Sequence, residues 1–273
     1  MLSWWAYLLS PAAVPLGDAS LTVLRYLTPH VAASLLAAFL LLFALLHAAL
    51  AAWLPLPARF SPADRAQARA WVAALFHHVP VALLAAGALG AAFFAPSGPQ
   101  APLWALAGSV PFSLAYVLSD FVATCLPELA RGGCEMTLHH ALGLAVSAAA
   151  LLAPVELLRW APHMWVCEAS NWGLGVSWFA RKAGRRGGPL QVGGQAAFVA
   201  AFVLTRVASL PVAVYGLTVA QFGRVAAAVG GGTAAACAAA LWMIVALQLF
   251  WLARIARMLA RAAGGAGGGG KEV

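Results

Sequence analysis

Two adjacent histidines, His139 and His140, stand inside an otherwise apolar stretch that begins just after Glu135. If that stretch crosses a membrane, an ionisable side chain there costs about 2.5 to 3.5 kcal/mol on insertion scales, so its presence needs a reason. Neutral imidazole accepts a proton or acts as a nucleophile near neutral pH, which is what acyl transfer requires. We therefore predict His139 and His140 as catalytic residues, against the alternative that they only fix helix packing.

A second polar group follows in the run from Glu168 to Asn171, which contains Ser170 and the only asparagine of the chain. Arg206 stands at the middle of a later apolar stretch and is the expected counter-ion of Glu168. A buried pair of this kind either fixes packing or orients a lipid headgroup or a reacting carbonyl.

Two earlier apolar stretches also carry polar residues. Tyr116 and Asp120 close one of them, and His77 and His78 precede Pro80 in the other. Adjacent helix residues point about 100° apart, so we expect one of these two histidines to face the interior. The residues predicted to bind substrate are His77, Tyr116, Asp120, Glu168, Ser170, Asn171 and Arg206.

The composition of the chain indicates which elements must position these residues. Of its 273 residues, 63% are hydrophobic and 9% are charged, and the mean hydropathy is +0.88. A soluble domain carries about a quarter charged residues, so this chain has too little polar surface to cover one. The basic residues behind the net charge of +8 stand at the ends of apolar runs, which indicates membrane topology and excludes a nucleic-acid surface. The predicted fold class is an all-α polytopic membrane protein.

Seven stretches are long and apolar enough to cross a bilayer as helices, which takes about 20 residues each. Prolines and glycines separate them, as expected of helix ends. Gly87 and Gly90, in the second stretch, are expected to permit close helix contacts. The stretches run from Val31 to Leu54, Ala68 to Phe94, Leu103 to Phe121, Met136 to Ala153, Met164 to Ala180, Gly193 to Ala220 and Thr233 to Leu252.

Lysine and arginine segregate between alternate loops of this seven-helix arrangement. One side holds 12 of them and the other holds 3, with Arg206 alone at mid-helix. Because basic residues collect on the cytosolic side, we predict a lumenal amino terminus and a cytosolic carboxyl terminus. Three regions follow: an interfacial segment with the first helix and a basic loop (residues 1–66), a six-helix membrane domain (67–262) and a disordered glycine-rich tail (263–273).

The four cysteines show neither CxxC nor any zinc-ligand spacing, so we expect free thiols. We expect no metal site and no cofactor. A haem held between the two histidine pairs is a minor alternative, because imidazole is a common axial ligand.

The order of these polar residues resembles that of the TLC-domain family, which includes ceramide synthases and translocon-associated membrane proteins. The residues that carry the resemblance are Tyr116-x-x-Ser119-Asp120, then Glu135-x-x-x-His139-His140, then Glu168-Ala169-Ser170, and finally the run from Gln248 through Trp251 to Arg257. The resemblance covers the chain from about Arg69 to Arg261.

The resemblance implies six helices that enclose a lipid-sized cavity, with the first helix outside. It also implies a role with acyl chains or sphingolipid-like molecules, commonly in the endoplasmic reticulum. In the ceramide synthase branch the histidine pair is taken as catalytic, which matches His139 and His140. Where that branch has a His-Asp pair in the next helix, this chain has Glu168 and Ser170, which is more similar to the small lipid-homeostasis branch.

Two functional hypotheses follow from these residues and from the resemblance. The first is a membrane protein that binds a lipid or a fatty acyl chain in an intramembrane cavity and acts in lipid homeostasis. The second is an acyl-CoA-dependent acyltransferase in which His139 or His140 is the base or nucleophile. In that enzyme, Glu168 and Arg206 would orient the substrate.

Overall fold

Helices form all the regular structure in the part of the chain that the structure describes, which is residues 29–94, 103–130, 134–152 and 160–265. The structure is a computed structural model. The predicted interfacial segment before residue 20 and most of the predicted tail after residue 263 lie outside these ranges. The prediction of an all-α polytopic membrane protein is confirmed.

The α-helices are numbered here in chain order. They are α1 Pro29–Trp53, α2 Pro62–Phe94, α3 Leu103–Asp120, α4 Leu126–Leu129, α5 Glu135–Leu152, α6 Ala161–Trp165, α7 Ala169–Lys182, α8 Pro189–Ala201, α9 Leu210–Tyr215, α10 Phe222–Val229 and α11 Gly231–Gly265.

Several of these helices continue into one another through turns of different pitch. The π-helical turn Phe121–Cys125 joins α3 to α4, and the 3₁₀ turn Val166–Glu168 joins α6 to α7. Two further π-helical segments, Phe202–Ser209 and Gly216–Ala220, lie on either side of α9. Short π-helical segments inside α-helices occur frequently at functional sites, because they change which residues share a face.

Five described helical stretches are long and apolar enough to cross a membrane: Ala33–Trp53, Pro62–Gly90, Ser109–Leu129, Pro189–Ala220 and Gly231–Arg261. They correspond to five of the seven predicted stretches. The other two are helical as well but shorter, because α5 has 18 residues and α7 has 14. The chain is therefore a multi-pass membrane protein, and the count of seven spans stays a prediction.

Local sequence fixes where these helices begin and end. Ser61 and Asp64 form a reciprocal capping box at the start of α2, with each backbone N–H donating to the other side chain. Pro62 occupies the first helical position, where its missing N–H costs nothing. At the end of α10, Gly230 has φ of +85°, a conformation that favours glycine over residues with a Cβ.

Helices α7 and α8 pack backbone against backbone. A Cβ placed on Gly173 would lie 2.5 Å from the backbone nitrogen of Phe198 and 2.6 Å from the carbonyl oxygen of Gly194. The expectation of close contacts at Gly87 and Gly90 is wrong, because a Cβ at either position meets no described atom within 4 Å. The α7–α8 contact matters for function because Arg206 lies on the helical continuation of α8.

Candidate functional site

Arg206 is buried at membrane depth and donates to side chains of two other helices. Its Nε donates to Ser170 Oγ at 2.9 Å, and its Nη2 donates to Asn171 Oδ1 at 3.3 Å, both on α7. Its Nη1 donates to Gln248 Oε1 on α11 at 3.4 Å. The π-helical segment after α8 thus directs the guanidinium between α7 and α11, where uncharged side-chain oxygens accept its hydrogen bonds.

Glu168 contacts Arg206 through an intermediate residue, which differs from the direct pair expected from the sequence. The Nδ2 of Asn171 donates to Glu168 Oε2 at 2.7 Å, while the Oδ1 of the same amide accepts from Arg206. The second partner of Glu168 Oε2 is His78 Nε2, at 3.1 Å. An amide can bridge an acid and a guanidinium because it carries both a donor and an acceptor.

Both histidines of α2 face the interior, although one was expected to do so. His77 Nε2 lies 3.0 Å from Ser113 Oγ on α3, and its ring stacks on Tyr116 with centroids 4.2 Å apart. His78 points instead to Glu168 in the 3₁₀ turn. Two residues 100° apart are both buried because α2 packs against α3 on one side and against the α6–α7 segment on the other.

The pair His140 and Asp120 joins α5 to the end of α3. His140 Nε2 lies 2.8 Å from Asp120 Oδ2, and Thr124 Oγ1 donates to Asp120 Oδ1 at 2.9 Å. The other ring nitrogen, His140 Nδ1, lies 3.0 Å from the carbonyl oxygen of Met136. The imidazole is therefore held at both nitrogens.

His139, the other predicted catalytic residue, contacts two aromatic rings edge-on. Its ring centroid lies 5.5 Å from that of His140 and 5.2 Å from that of Trp251 on α11. Its Nδ1 is buried and has no hydrogen-bond partner in the described part of the chain.

These groups form one cluster inside the helix bundle. His78 and Tyr116 link the two ends of the cluster, because His78 pairs with Glu168 and its ring centroid lies 5.2 Å from that of Tyr116, one helical turn before Asp120. Every predicted catalytic or binding residue either belongs to this cluster or contacts one of its members. The predicted roles of these residues remain predictions. The predicted residues brought together are His77, Tyr116, Asp120, His139, His140, Glu168, Ser170, Asn171 and Arg206.

Sequence reasoning gave no catalytic or substrate-binding role to several members of the cluster, although it named His78 as a possible haem ligand. These members are His78, Ser113, Thr124, Cys125 and Gln248. Gln248 is only 1% exposed, yet it was read only as part of a helix similar to the family's last one. Its signal was a glutamine in a long apolar helix, because such a side chain needs a hydrogen-bonding partner there. His78 could have been found as the neighbour of His77.

The four cysteines are free, as predicted, and Cys125 is fully buried beside the Asp120–His140 pair. Its Sγ, one ring nitrogen of His140 and one carboxylate oxygen of Asp120 all lie within 4.8 Å of one another. These three are the residues of the cluster that could hold a metal ion together.

Comparison with curated proteins and with solved structures gives no significant match to either. The model of one family, the TLC domain, matches residues 68–257, which is most of the chain and includes the whole polar cluster. The chain is therefore a multi-pass membrane protein that belongs to the TLC-domain family.

Proposed function

We propose that this protein binds a lipid or a fatty acyl chain in an intramembrane cavity and acts in membrane lipid homeostasis. The proposed cavity lies at the polar cluster between α2, α3, α5, α7 and α11. The proposed location is the endoplasmic reticulum, which is common in the TLC-domain family. The basic residues of the loops support a lumenal amino terminus and a cytosolic carboxyl terminus.

Buried polar atoms without partners are the observation that carries this proposal. His78 Nδ1, His139 Nδ1 and Gln248 Nε2 are buried and make no hydrogen bond to any described residue. An unpaired buried polar group costs about 1 to 3 kcal/mol, so such groups in a native fold call for an explanation. A polar group of a bound lipid explains them, because it would supply the missing partners.

The chemistry of these atoms favours a headgroup that both donates and accepts. The carboxylate of Glu168 accepts, so His78 Nε2 carries the ring proton and His78 Nδ1 presents a lone pair. Gln248 Nε2 is an amide donor. A hydroxyl or an amide of a lipid could pair with both, while its acyl chain would pass between the apolar faces of the helices.

The acyltransferase remains the second candidate, because the cluster contains histidines oriented by carboxylates. Glu168 contacts His78 Nε2 in the manner in which a carboxylate orients a general base, and His78 Nδ1 has no described partner. Asp120 contacts His140 in turn, although both ring nitrogens of His140 have partners. His139 lies beside His140 with an unpaired Nδ1. In this alternative the acyl donor is an acyl-CoA, and the paired histidines His139 and His140 carry the transfer.

Mass spectrometry of lipids that co-purify with the protein in mild detergent tests the lipid-binding proposal. We expect a specific lipid with wild type and about tenfold less with Gln248→Leu, which corresponds to roughly 1.4 kcal/mol for one lost hydrogen bond. His47→Ala, at a histidine of α1 that none of the cluster's hydrogen bonds or ion pairs described above involves, is the matched control and should retain the lipid. Equal lipid in both variants, or none with wild type, would contradict the proposal.

Labelled acyl-CoA separates the two candidates in the same preparation. If the protein is an acyltransferase, label enters a new lipid with wild type, and His139→Ala or His140→Ala lowers the rate by about 10² to 10⁴. If it is a binding protein, no label moves while the lipid still co-purifies. His47→Ala again serves as the control, because it leaves the paired histidines intact.

A further inference from the structure

Asp120, Cys125 and His140 converge from two helices at one buried point, which we call the Asp-Cys-His cluster. Asp120 ends α3, Cys125 ends the π-helical turn that follows, and His140 lies on α5. One potential ligand atom from each lies within 4.8 Å of the other two. The cluster is therefore small enough for a single ion to contact all three side chains.

The contacts of His140 require either a further proton or a metal ion at this point. Its Nδ1 faces the carbonyl oxygen of Met136, which only accepts, so Nδ1 carries the proton of a neutral ring. Its Nε2 then presents a lone pair to Asp120 Oδ2 at 2.8 Å, and two electron-rich atoms at that distance repel each other. Either a second proton or a metal ion must lie between or beside them.

The sulfur of Cys125 favours the metal ion over the proton. Cys125 is fully buried, and its Sγ lies within 4.8 Å of a ring nitrogen of His140 and a carboxylate oxygen of Asp120, with a long contact of 3.9 Å to the carbonyl oxygen of Met136. A proton shared between His140 and Asp120 has no need of a thiol, whereas thiolate, imidazole and carboxylate together are the ligands that zinc takes in proteins. We propose that Asp120, Cys125 and His140 bind one zinc ion.

The surroundings of the cluster match those of ligands in zinc sites. Ligating histidines usually donate their second N–H to a carbonyl or carboxylate, as His140 Nδ1 does to Met136. Ligating carboxylates are usually hydrogen-bonded in turn, as Asp120 Oδ1 is by Thr124. Thr137 Oγ1 donates to the carbonyl oxygen of Cys125 at 3.1 Å, which fixes the end of the π-helical turn against α5.

Charge and geometry are both compatible with the ion. Within the described polar cluster, Asp120, Glu168 and a Cys125 thiolate would carry three negative charges and Arg206 carries one positive charge, so with neutral histidines a divalent cation brings the total to zero. Tetrahedral zinc with bonds of 2.0 to 2.3 Å separates its ligand atoms by about 3.3 to 3.8 Å. Binding therefore requires His140 and Asp120 to move apart by roughly 0.5 to 1 Å, which side-chain rotation supplies.

Three protein ligands leave a fourth position open, as in zinc sites that hold a water or a substrate atom. The proposal does not depend on lipid binding, because none of the three atoms that carry the lipid proposal belongs to the Asp-Cys-His cluster. Failure of one proposal therefore leaves the other standing.

Metal analysis of the purified full-length chain tests the zinc site. The protein is prepared in detergent with a histidine-free tag, equilibrated with zinc, desalted and analysed by mass spectrometry for metals. We expect about one zinc ion per chain, falling at least tenfold in Cys125→Ala, with the exposed Cys134→Ala as the matched control that keeps its zinc. Wild type without zinc would mean that His140 is an imidazolium only, and zinc retained by Cys125→Ala would also overturn the proposal.

Cobalt substitution gives a readout that does not depend on folding of the Cys125 variant. We expect Co²⁺ bound to Cys134→Ala/Cys237→Ala protein to show a thiolate-to-cobalt charge-transfer band in the near ultraviolet, together with the visible bands of a four-coordinate ion. The band should disappear when His140→Ala is added. A spectrum without the thiolate band, or one that His140→Ala leaves unchanged, would contradict ligation by Cys125 and His140.

Discussion

Replacing Arg206 with methionine is expected to destabilise the protein by about 2 to 5 kcal/mol, since three interhelical hydrogen bonds are lost and such bonds are worth roughly 0.6 to 1.7 kcal/mol each. The substitution keeps the length of the side chain but removes the donor that Ser170, Asn171 and Gln248 share. Because Arg206 is only 7% exposed, water cannot replace the lost donor. The measurement is thermal unfolding in detergent, followed by circular dichroism and by loss of the monodisperse fraction.

The comparison with Arg224→Met isolates the effect of burial. Arg224 lies on α10 and is exposed, so its replacement should shift the unfolding temperature little. Arg206→Lys should fall between the two variants, because a single ammonium cannot reach acceptors on α7 and α11 as a planar guanidinium does. If Arg206→Met is as stable as Arg224→Met, the guanidinium does not hold these helices together.

The sequence was sufficient to predict which residues gather in the polar cluster, apart from a few, because polar residues are costly inside a membrane helix. Each ionisable residue in an apolar stretch had to have a partner, so His140, Asp120, Glu168 and Arg206 could be singled out without knowledge of the fold. Which residue pairs with which could not be read in this way. Asn171, which bridges Glu168 and Arg206, shows why: pairing depends on how each helix rotates about its axis, and that is a tertiary property.

The Asp-Cys-His cluster could not be predicted from the sequence either, because it depends on an irregular helical turn. In an α-helix, residues five apart, such as Asp120 and Cys125, point about 140° away from each other. The π-helical turn Phe121–Cys125 has i→i+5 hydrogen bonds and hence more residues per turn, so it returns residue 125 toward the face of residue 120. Nothing in the spacing of the cysteines indicated this turn, so the sequence predicted free thiols and no metal site.

The positions of close helix contact were also not predictable from the sequence, and the two glycines expected to form such contacts were the wrong ones. Gly87 and Gly90 were chosen because they lie in an alanine- and glycine-rich stretch. Close approach instead occurs at Gly173 and Gly194, where the Cβ of Ser177 also lies 3.2 Å from the position of a Cβ on Gly194. Small residues permit such a contact, but the face that uses it depends on the partner helix.

Gly173→Ala is expected to destabilise the protein by about 1 to 3 kcal/mol, the range for an overpacked interior. The added methyl would lie 2.5 Å from the backbone nitrogen of Phe198, and backbone atoms cannot rotate away as a side-chain end can, so α7 and α8 must separate. The same unfolding assay measures the loss, with Gly193→Ala as the matched control. Gly193 lies on α8 with no described atom within 4 Å of its Cβ position.

Gly173→Ala and Gly193→Ala are expected to change the free energy of unfolding in different directions, so their comparison isolates the α7–α8 contact. In a helix interior, alanine is favoured over glycine by about 1 kcal/mol, so Gly193→Ala should be neutral or stabilising while Gly173→Ala destabilises. Separation of α7 from α8 would also lengthen the hydrogen bonds from Arg206 to Ser170 and Asn171, so Gly173→Ala should lose the co-purifying lipid although it changes no polar residue. If Gly173→Ala instead retains both stability and lipid, the α7–α8 contact does not position Arg206, and the polar cluster must be held by its own hydrogen bonds.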